Sequence, residues 1–336
     1  MAVTVTAVVP TVGASELLPA CLDALRRQRL PRGTTLEIVL VRQGGGAVRS
    51  SDPDAGPDAP ADREIRLPEN LGFAAATNRG IAAARGRYVA TVNDDAVVAE
   101  GWLEALTRAL EAEPGAASAQ GVNLQGRPDG PAGRVDGWGL AWDRAFQAVQ
   151  LGRDREPPAA DAPPRRVFGV SATAALYRRD ALLAVALPGR APSGSVPEVF
   201  DSRLESYYED ADLARRLRMA GYTALSVPRA RVLHAGSATG RRLGARRWRL
   251  LYGNRYATAA GLLGRAFWLR LPRMVVRDLA DLARAKLRLD GRRVLGIAGG
   301  WGRALRLLPG FVHGGPPCTP IFEDPPEDSP DEEGGS

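Results

Sequence analysis

Three short stretches of this 336-residue chain carry residue types that could do chemistry together. Asn93-Asp94-Asp95 sets an amide and two carboxylates directly behind the apolar run Tyr88 to Val92. Oxygen donors of this kind suit a hard divalent cation, Mg²⁺ or Mn²⁺, which bridges carboxylates to phosphates. Taken alone, the plainer account of the triplet is a turn of solvated Asn and Asp. Tyr207-Tyr208-Glu209-Asp210, with Asp212, opens a helical stretch. A carboxylate there can serve as general base toward an attacking hydroxyl, although acidic residues also favour helix N-termini for electrostatic reasons alone. His234, in VLHAGSAT, is one of two histidines. A neutral imidazole is a good metal ligand, while a structural histidine is the plainer account. His313 lies among Gly and Pro and is read as incidental.

Weaker signals surround these. Asn70-Leu71-Gly72-Phe73 precedes an Ala-rich stretch. Gly72 lets a backbone approach a ligand, and a helix N-terminus attracts phosphate. There is no Walker phosphate loop, dinucleotide glycine fingerprint or GxSxG elbow, and no zinc-type Cys/His spacing. GIAGGWG at 296–302 has the wrong spacing and context for a nucleotide loop.

The elements that must position these residues follow from periodicity. Strands are expected at Val3 to Val9, Leu36 to Val41, Ile65 to Leu67, Tyr88 to Val92 and Ala116 to Val122. Helices are expected after Ser15, read as its cap, at Phe73 to Arg85 and at Trp102 to Leu110. This alternation predicts a parallel α/β sheet over the first ~125 residues, with ligands bound outside the strands' carboxyl ends. Val167 to Tyr177 reads as extended, Tyr208 to Ala220 as helix, and Tyr222 to Val227 and Val232 to His234 as two strands. Residues 50–62, 152–165 and 188–199 are loops by composition. Helix dominates from about residue 245. Pro272 is read as starting a helix at Arg273 to Leu289, with Val275, Val276, Leu279, Leu282 and Ala283 on its apolar side. Arg277, Asp281, Arg284 and Arg288 form its polar side.

An apolar fraction of 45% is enough for a core, and two cysteines make no disulfide framework. No stretch reads as a membrane span or a signal peptide, so a cytoplasmic location is expected. The charge is unevenly placed. Residues 1–240 balance 28 basic against 28 acidic side chains, while residues 241–310 hold 17 against 3. Residues 317–336 hold 7 acidic and no basic ones, and residues 313–336 are expected to be a disordered acidic tail.

In order, these pieces resemble the inverting family 2 glycosyltransferases, and within them the rhamnosyltransferase-like branch. The segments that carry the resemblance are VTAVVPT, EIVLV, LPENLGFAAATNRGI, VNDDAVV, FGVSATAALYRRDAL, YYEDADLARRLRMAGY and VPRARVLHAGSAT, spread over most of residues 1–260. The resemblance implies an α/β GT-A fold in residues 1–240, with a nucleotide-sugar half (1–125) and an acceptor half (126–240). A basic helical extension at 241–312 follows. It also implies roles. Asp95, with Asn93 or Asp94, matches the metal- and diphosphate-binding motif, and His234 a further metal ligand. Asp210 matches the catalytic base of the Glu209-Asp210 pair. Pro10, Thr11, Asn70, Gly72 and Phe73 match the nucleotide-sugar wall.

The implied reaction is transfer of a sugar, with inversion, from a nucleotide donor to a saccharide or lipid-linked acceptor in cell-envelope polysaccharide or glycolipid synthesis. Rhamnose from a dTDP donor is the first expectation, and a UDP- or GDP-sugar the alternative. Two departures touch the base. Val12-Gly13 replaces an aromatic and Asn, and Arg42-Gln43-Gly44-Gly45 replaces Asp-Asn-Gly-Ser. Arg only donates, so it cannot accept the N–H of a pyrimidine, whereas Gln43 donates and accepts. These departures keep open a non-catalytic nucleotide-sugar binding protein. The basic extension, with Trp248, Trp268 and Trp301, fits an anionic membrane surface at the inner face of the plasma membrane. A solvated helical bundle packed on the catalytic domain fits it too. No nucleic-acid partner is expected, because no recognised motif accompanies the charge.

Overall fold

The β-branched run near the start of the chain forms strand β1 (Val3–Val12). Val5, Ala7 and Val9 enter one core and Val8 another, so the strand is buried on both faces, as a strand covered by helices must be. The structure is a computed structural model and describes residues 3–13, 15–30, 33–44, 61–131, 133–188, 198–236, 243–312 and 317–323. Strand β2 (Thr34–Gln43) and β4 (Tyr88–Val92) flank β1 in parallel, and β3 (Arg63–Leu67) lies beyond β2. Helices α1 (Leu18–Arg26) and α3 (Trp102–Ala112) cover one face, and α2 (Phe73–Ala83) covers the other.

The sheet continues through β5 (Ala96–Val98), β6 (Ala116–Gln125), β7 (Val135–Gly137), β10 (Arg165–Val167), β11 (Ala174–Arg178) and β12 (Thr223–His234). Its order is β10-β12-β6-β11-β4-β1-β2-β3, with β5 on β12 and β7 on β6. Strands β8 (Leu140–Trp142) and β9 (Ala148–Gln150) make a separate hairpin. Helices α4 (Arg179–Ala184) and α5 (Glu209–Met219) complete this part.

Several expectations need correction here. The first half is not wholly parallel in its sheet context. β11 lies between β4 and β6 and runs antiparallel to both. The extended stretch 167–177 breaks, and residues 168–173 leave the sheet between β10 and β11. The two late strands are one, β12, whose register against β6 slips between Ser226 and Arg231. Ser15 does not cap α1. Leu17 holds that position, and the Ser15 hydroxyl turns toward the Asp94 carbonyl at 3.4 Å.

Three long helices follow: α6 (Ala245–Leu263), α7 (Phe267–Leu287) and α8 (Gly291–Leu307). GIAGGWG lies on α8 and serves helix packing. A Cβ on Gly296 would meet the Trp248 Cβ at 2.2 Å, and one on Gly300 would meet the Tyr252 Cβ at 2.7 Å. Pro272 lies inside α7 rather than at its start, where it removes one internal hydrogen bond.

The face of α7 is also turned from expectation. Asp278 and Asp281 are buried, while Val276 and Leu279 are exposed. Partners on the other helices compensate the buried acids. Asp278 accepts from Arg255 (2.6 Å), Tyr256 (2.7 Å) and Trp301 (2.9 Å), and Asp281 accepts from Tyr252 (2.9 Å). An ion so surrounded can be buried where a lone one cannot.

Part of the expected tail is ordered. Cys318 N–H donates to the Leu262 carbonyl (2.8 Å), and Trp142 N–H to that of Ile321 (2.9 Å). Residues 317–323 therefore run beside α6 and β8. Residues 313–316 and 324–336, with His313 and most of the acidic tail, lie outside the described residues, as do 50–60 and 189–197 of the expected loops. Among the described residues no helix is long and apolar enough to cross a membrane.

Candidate active site

The carboxyl ends of β1, β2 and β4 lie side by side and deliver Pro10, Gln43 and the Asn93–Asp95 triplet to one edge of the sheet. The cleft there has a volume of about 1090 Å³. Asn70, Gly72, Phe73, Glu209, Asp210 and His234 line it as well. Of the residues expected to bind the donor or the metal or to act as the base, Thr11 alone does not line it.

Asp94 and Asp95 turn different ways. Asp94 accepts a hydrogen bond from Thr11 at 2.5 Å. Burial, helped by the Asp95 charge and opposed by Thr11, lifts the Asp94 carboxyl above its usual range. Asp95 instead faces His234. Strand β12 pairs antiparallel with β5 so that His234 stands opposite Ala96, and Ala235 N–H donates to the Asp95 carbonyl at 3.1 Å. The backbone ladder thus joins two motifs far apart in sequence.

His234 Nε2 lies 3.4 Å from Asp95 Oδ1, and Nδ1 lies 2.8 Å from Asp136 Oδ2. Burial alone would push this imidazole down. The hydrogen bond and charge of Asp136, with the charge of Asp95, overcome that and raise it to about 10. Burial would likewise raise Asp136, but His234 and Arg153, whose guanidinium is 3.1 Å away, hold it below the usual carboxylate range.

A divalent cation fits these residues. Among the described residues His234 Nε2 is buried with no hydrogen-bond partner, although its other nitrogen is firmly held. A ligating histidine characteristically has its second nitrogen fixed by a carboxylate. Among the described residues no three His, Cys, Asp or Glu side chains gather to hold a metal by themselves. Asp95 and His234 would therefore share the cation with phosphate oxygens and water, as Mg²⁺-type sites commonly do.

Asp210 opens α5 on the far wall. Tyr207 and Tyr208 just before it take left-handed backbone angles, φ 68° and 71°. Asn254 of α6 braces that turn, its Nδ2 donating to the carbonyls of Leu204 (2.7 Å), Ser206 (3.0 Å) and Tyr207 (2.8 Å). Arg303 of α8 holds Asn254 Oδ1 (2.8 Å), Glu205 (2.8 Å) and the Arg203 carbonyl (2.6 Å).

Burial raises the Asp210 carboxyl, against backbone hydrogen bonds from Ala211 and Ala172 and one from Ser171. Burial and the adjacent Asp210 charge raise Glu209 well above the usual range, and its Oε2 has no partner among the described residues. The 171–173 loop also reaches the opposite motif, because the Thr173 carbonyl accepts from Asn93 N–H at 2.8 Å. Asp212 is structural. Arg215 and Arg216 clamp it at 2.8 Å each, and against the cost of burial they hold it at about 2.

Residues 6–185 match the family described as Glycosyl transferase family 2. The chain belongs to that family.

A family relative in Bacillus subtilis strain 168, the uncharacterized glycosyltransferase EpsJ, is 34% identical over 109 residues. That stretch is 32% of this chain and 30% of EpsJ, so the chain matches under a third of that relative's length. Two solved structures share the fold. GalNAc-T7 with UDP, GalNAc and Mn²⁺ aligns with a TM-score of 0.54 at 15% identity, over 79% of this chain and 49% of its own. The mannosyltransferase PcManGT from Pyrobaculum calidifontis, in complex with GDP-Man and Mn²⁺, aligns with a TM-score of 0.50 at 19% identity, over 90% and 86%. The fold is GT-A.

For this family 2 chain the Arg42 departure has a local explanation. Arg42 Nε donates to Glu64 of β3 at 2.9 Å, and Arg42 does not line the cleft. Gln43 does, with its Oε1 accepting from Leu71 N–H at 2.9 Å. Gly72 is confined. Its φ is 87°, and a Cβ there would meet the Glu205 carbonyl at 2.9 Å. Asp136, Ser171, Asn254 and Arg303 escape a reading of the sequence, since each is a lone polar residue in an unremarkable segment.

Proposed function

We propose that the chain is a metal-dependent inverting glycosyltransferase. One observation carries this reading: Asp95 with His234 and Asp210 with Glu209 line the same cleft, joined by the 171–173 loop. A nucleoside diphosphate-sugar occupies the end formed by Pro10, Gln43, Asn70 and Phe73. Gln43 donates to a carbonyl of the base, and Asn93, Asp95 and His234 surround the diphosphate. Asp95 and His234 would hold a divalent cation there, which would supply positive charge to offset that on the leaving diphosphate.

Asp210 takes the proton of an acceptor hydroxyl. That oxygen bonds to the anomeric carbon as the carbon–phosphate oxygen bond breaks, and the electron pair leaves with the diphosphate. A single displacement of this kind inverts the anomeric centre. Burial and the Asp210 charge disfavour ionisation of Glu209, which limits a second negative charge beside the base. Rhamnose from a dTDP donor is the first donor assignment, on the resemblance alone, with a UDP- or GDP-sugar as the alternative, and a saccharide or a lipid-linked acceptor at the inner membrane face is the acceptor. Incubating the purified protein with dTDP-rhamnose, UDP-sugars and GDP-sugars, with and without Mn²⁺, tests this. Metal-dependent release of nucleoside diphosphate from one donor supports the reading, and release from none opposes it.

A further inference from the structure

The outward face of α7 reverses what a solvated surface helix presents. Leu269 is 83% exposed, Val276 66% and Leu287 84%. At ~100° per residue these three fall along nearly one line, with exposed Pro272, Ala280 and Ala283 beside it. Trp268 (54%) and Leu279 (50%) widen one flank, and Arg270, Arg273 and Arg284 border the other. The helix turns its acids the other way. Asp278 and Asp281 are buried against Arg255, Tyr256 and Tyr252, and the third acid of the segment, Asp290, caps α8. An apolar line edged by guanidinium groups is what remains outside.

We propose that this face of α7 docks on an anionic lipid bilayer, the helix lying flat at headgroup depth. Three observations select that occupant. The apolar line is continuous along a helix about 30 Å long. Exposed Arg270 and Arg273 edge the line, within a segment (241–310) of 17 basic and 3 acidic side chains, and complement anionic headgroups. Trp268 stands beside the apolar line, where an amphipathic ring favours an interface. A second copy of this chain fits less well, because it would bring like-charged arginine rows together. Arg277 and Asp281 of the same helix line the cleft, so docking holds the cleft within about one helix diameter of the lipid, on the order of 10 Å. The inference stands on α7 and holds whether or not the donor assignment does.

The test uses the full chain with two kinds of vesicle, phosphatidylcholine alone and phosphatidylcholine with about one-third phosphatidylglycerol. Co-sedimentation is expected with the anionic vesicles at low salt, together with a blue shift of Trp emission that Trp268→Phe diminishes. Val276→Glu and Leu287→Glu are each expected to weaken binding about tenfold, with unchanged thermal midpoints and unchanged nucleotide binding. Equal partition into both vesicle types, no partition, or wild-type binding by both variants overturns the proposal. A dimer that Val276→Glu dissolves also overturns it, by assigning the face to self-association.

Discussion

His234 Nδ1 lies 2.8 Å from Asp136 Oδ2, which leaves Nε2 facing Asp95 at 3.4 Å. With His234 as the proposed metal ligand, the Asp136 contact would select which nitrogen meets the cation, making Asp136 a positioning residue. Asp136→Asn is expected to weaken Mn²⁺ binding about 10–100-fold by calorimetry, with a smaller loss for Asp136→Glu. Wild-type Mn²⁺ affinity in Asp136→Asn would remove it from that role.

The same pair governs stability against pH. His234 is raised from 6.5 to about 10, so its stabilisation is fully present below about pH 6.5 and is lost as pH rises through about 10. The melting temperature of the metal-free protein should fall over that window, and His234→Gln should flatten the fall. A parallel curve for the variant would show that His234 contributes none of it.

Asp210→Asn should separate chemistry from stability. Loss of a general base costs about 10²–10⁴ in kcat, while nucleotide binding stays intact. A raised carboxyl stabilises the fold below its unfolded value, and that contribution is lost as pH rises through the folded value. At neutral pH the uncharged Asn variant should therefore melt higher than wild type, by an amount that shrinks in acid. Scanning calorimetry between acid and neutral pH reads both signs.

Asp212→Ala should behave in the opposite way. It leaves Arg215 and Arg216 buried without their counter-charge, at a cost of about 3–5 kcal/mol in denaturant unfolding. In the wild type this contribution is present above about pH 3.8 and is lost as pH falls through about 2.

Asn254 offers a test of the brace behind the base. Asn254→Ala removes three hydrogen bonds to the turn that aims Asp210. The expected result is a kcat lower by about 10–100-fold with nucleotide affinity unchanged. Equal losses in both would mean that the helices support the whole cleft and not that turn alone.

Much of this arrangement was legible in the chain because it is local. The β-branched run before Pro10, the apolar Tyr88–Val92 strand and the acidic opening of α5 announce themselves by type and spacing. The hidden parts depend on residues that meet only in three dimensions. Nothing around Asp136 marks it as the partner of His234, and nothing around Asn254 marks its three carbonyls. The α7 helix misleads for a definite reason. Periodicity sends Val276 inward, yet the guanidinium of Arg255 and the hydroxyls of Tyr252 and Tyr256 reward burial of Asp278 and Asp281 instead. Arg42 misleads similarly, since its partner Glu64 lies on the neighbouring strand.

The most direct test of the central claim is calorimetric titration of UDP, dTDP and GDP into the purified protein, with and without Mn²⁺. One nucleotide is expected to bind, only with the metal present, and Asp95→Asn and His234→Gln are expected to abolish the metal requirement together with the affinity. Absence of binding by all three in the presence of Mn²⁺, or binding that ignores both the metal and Asp95, would contradict that claim.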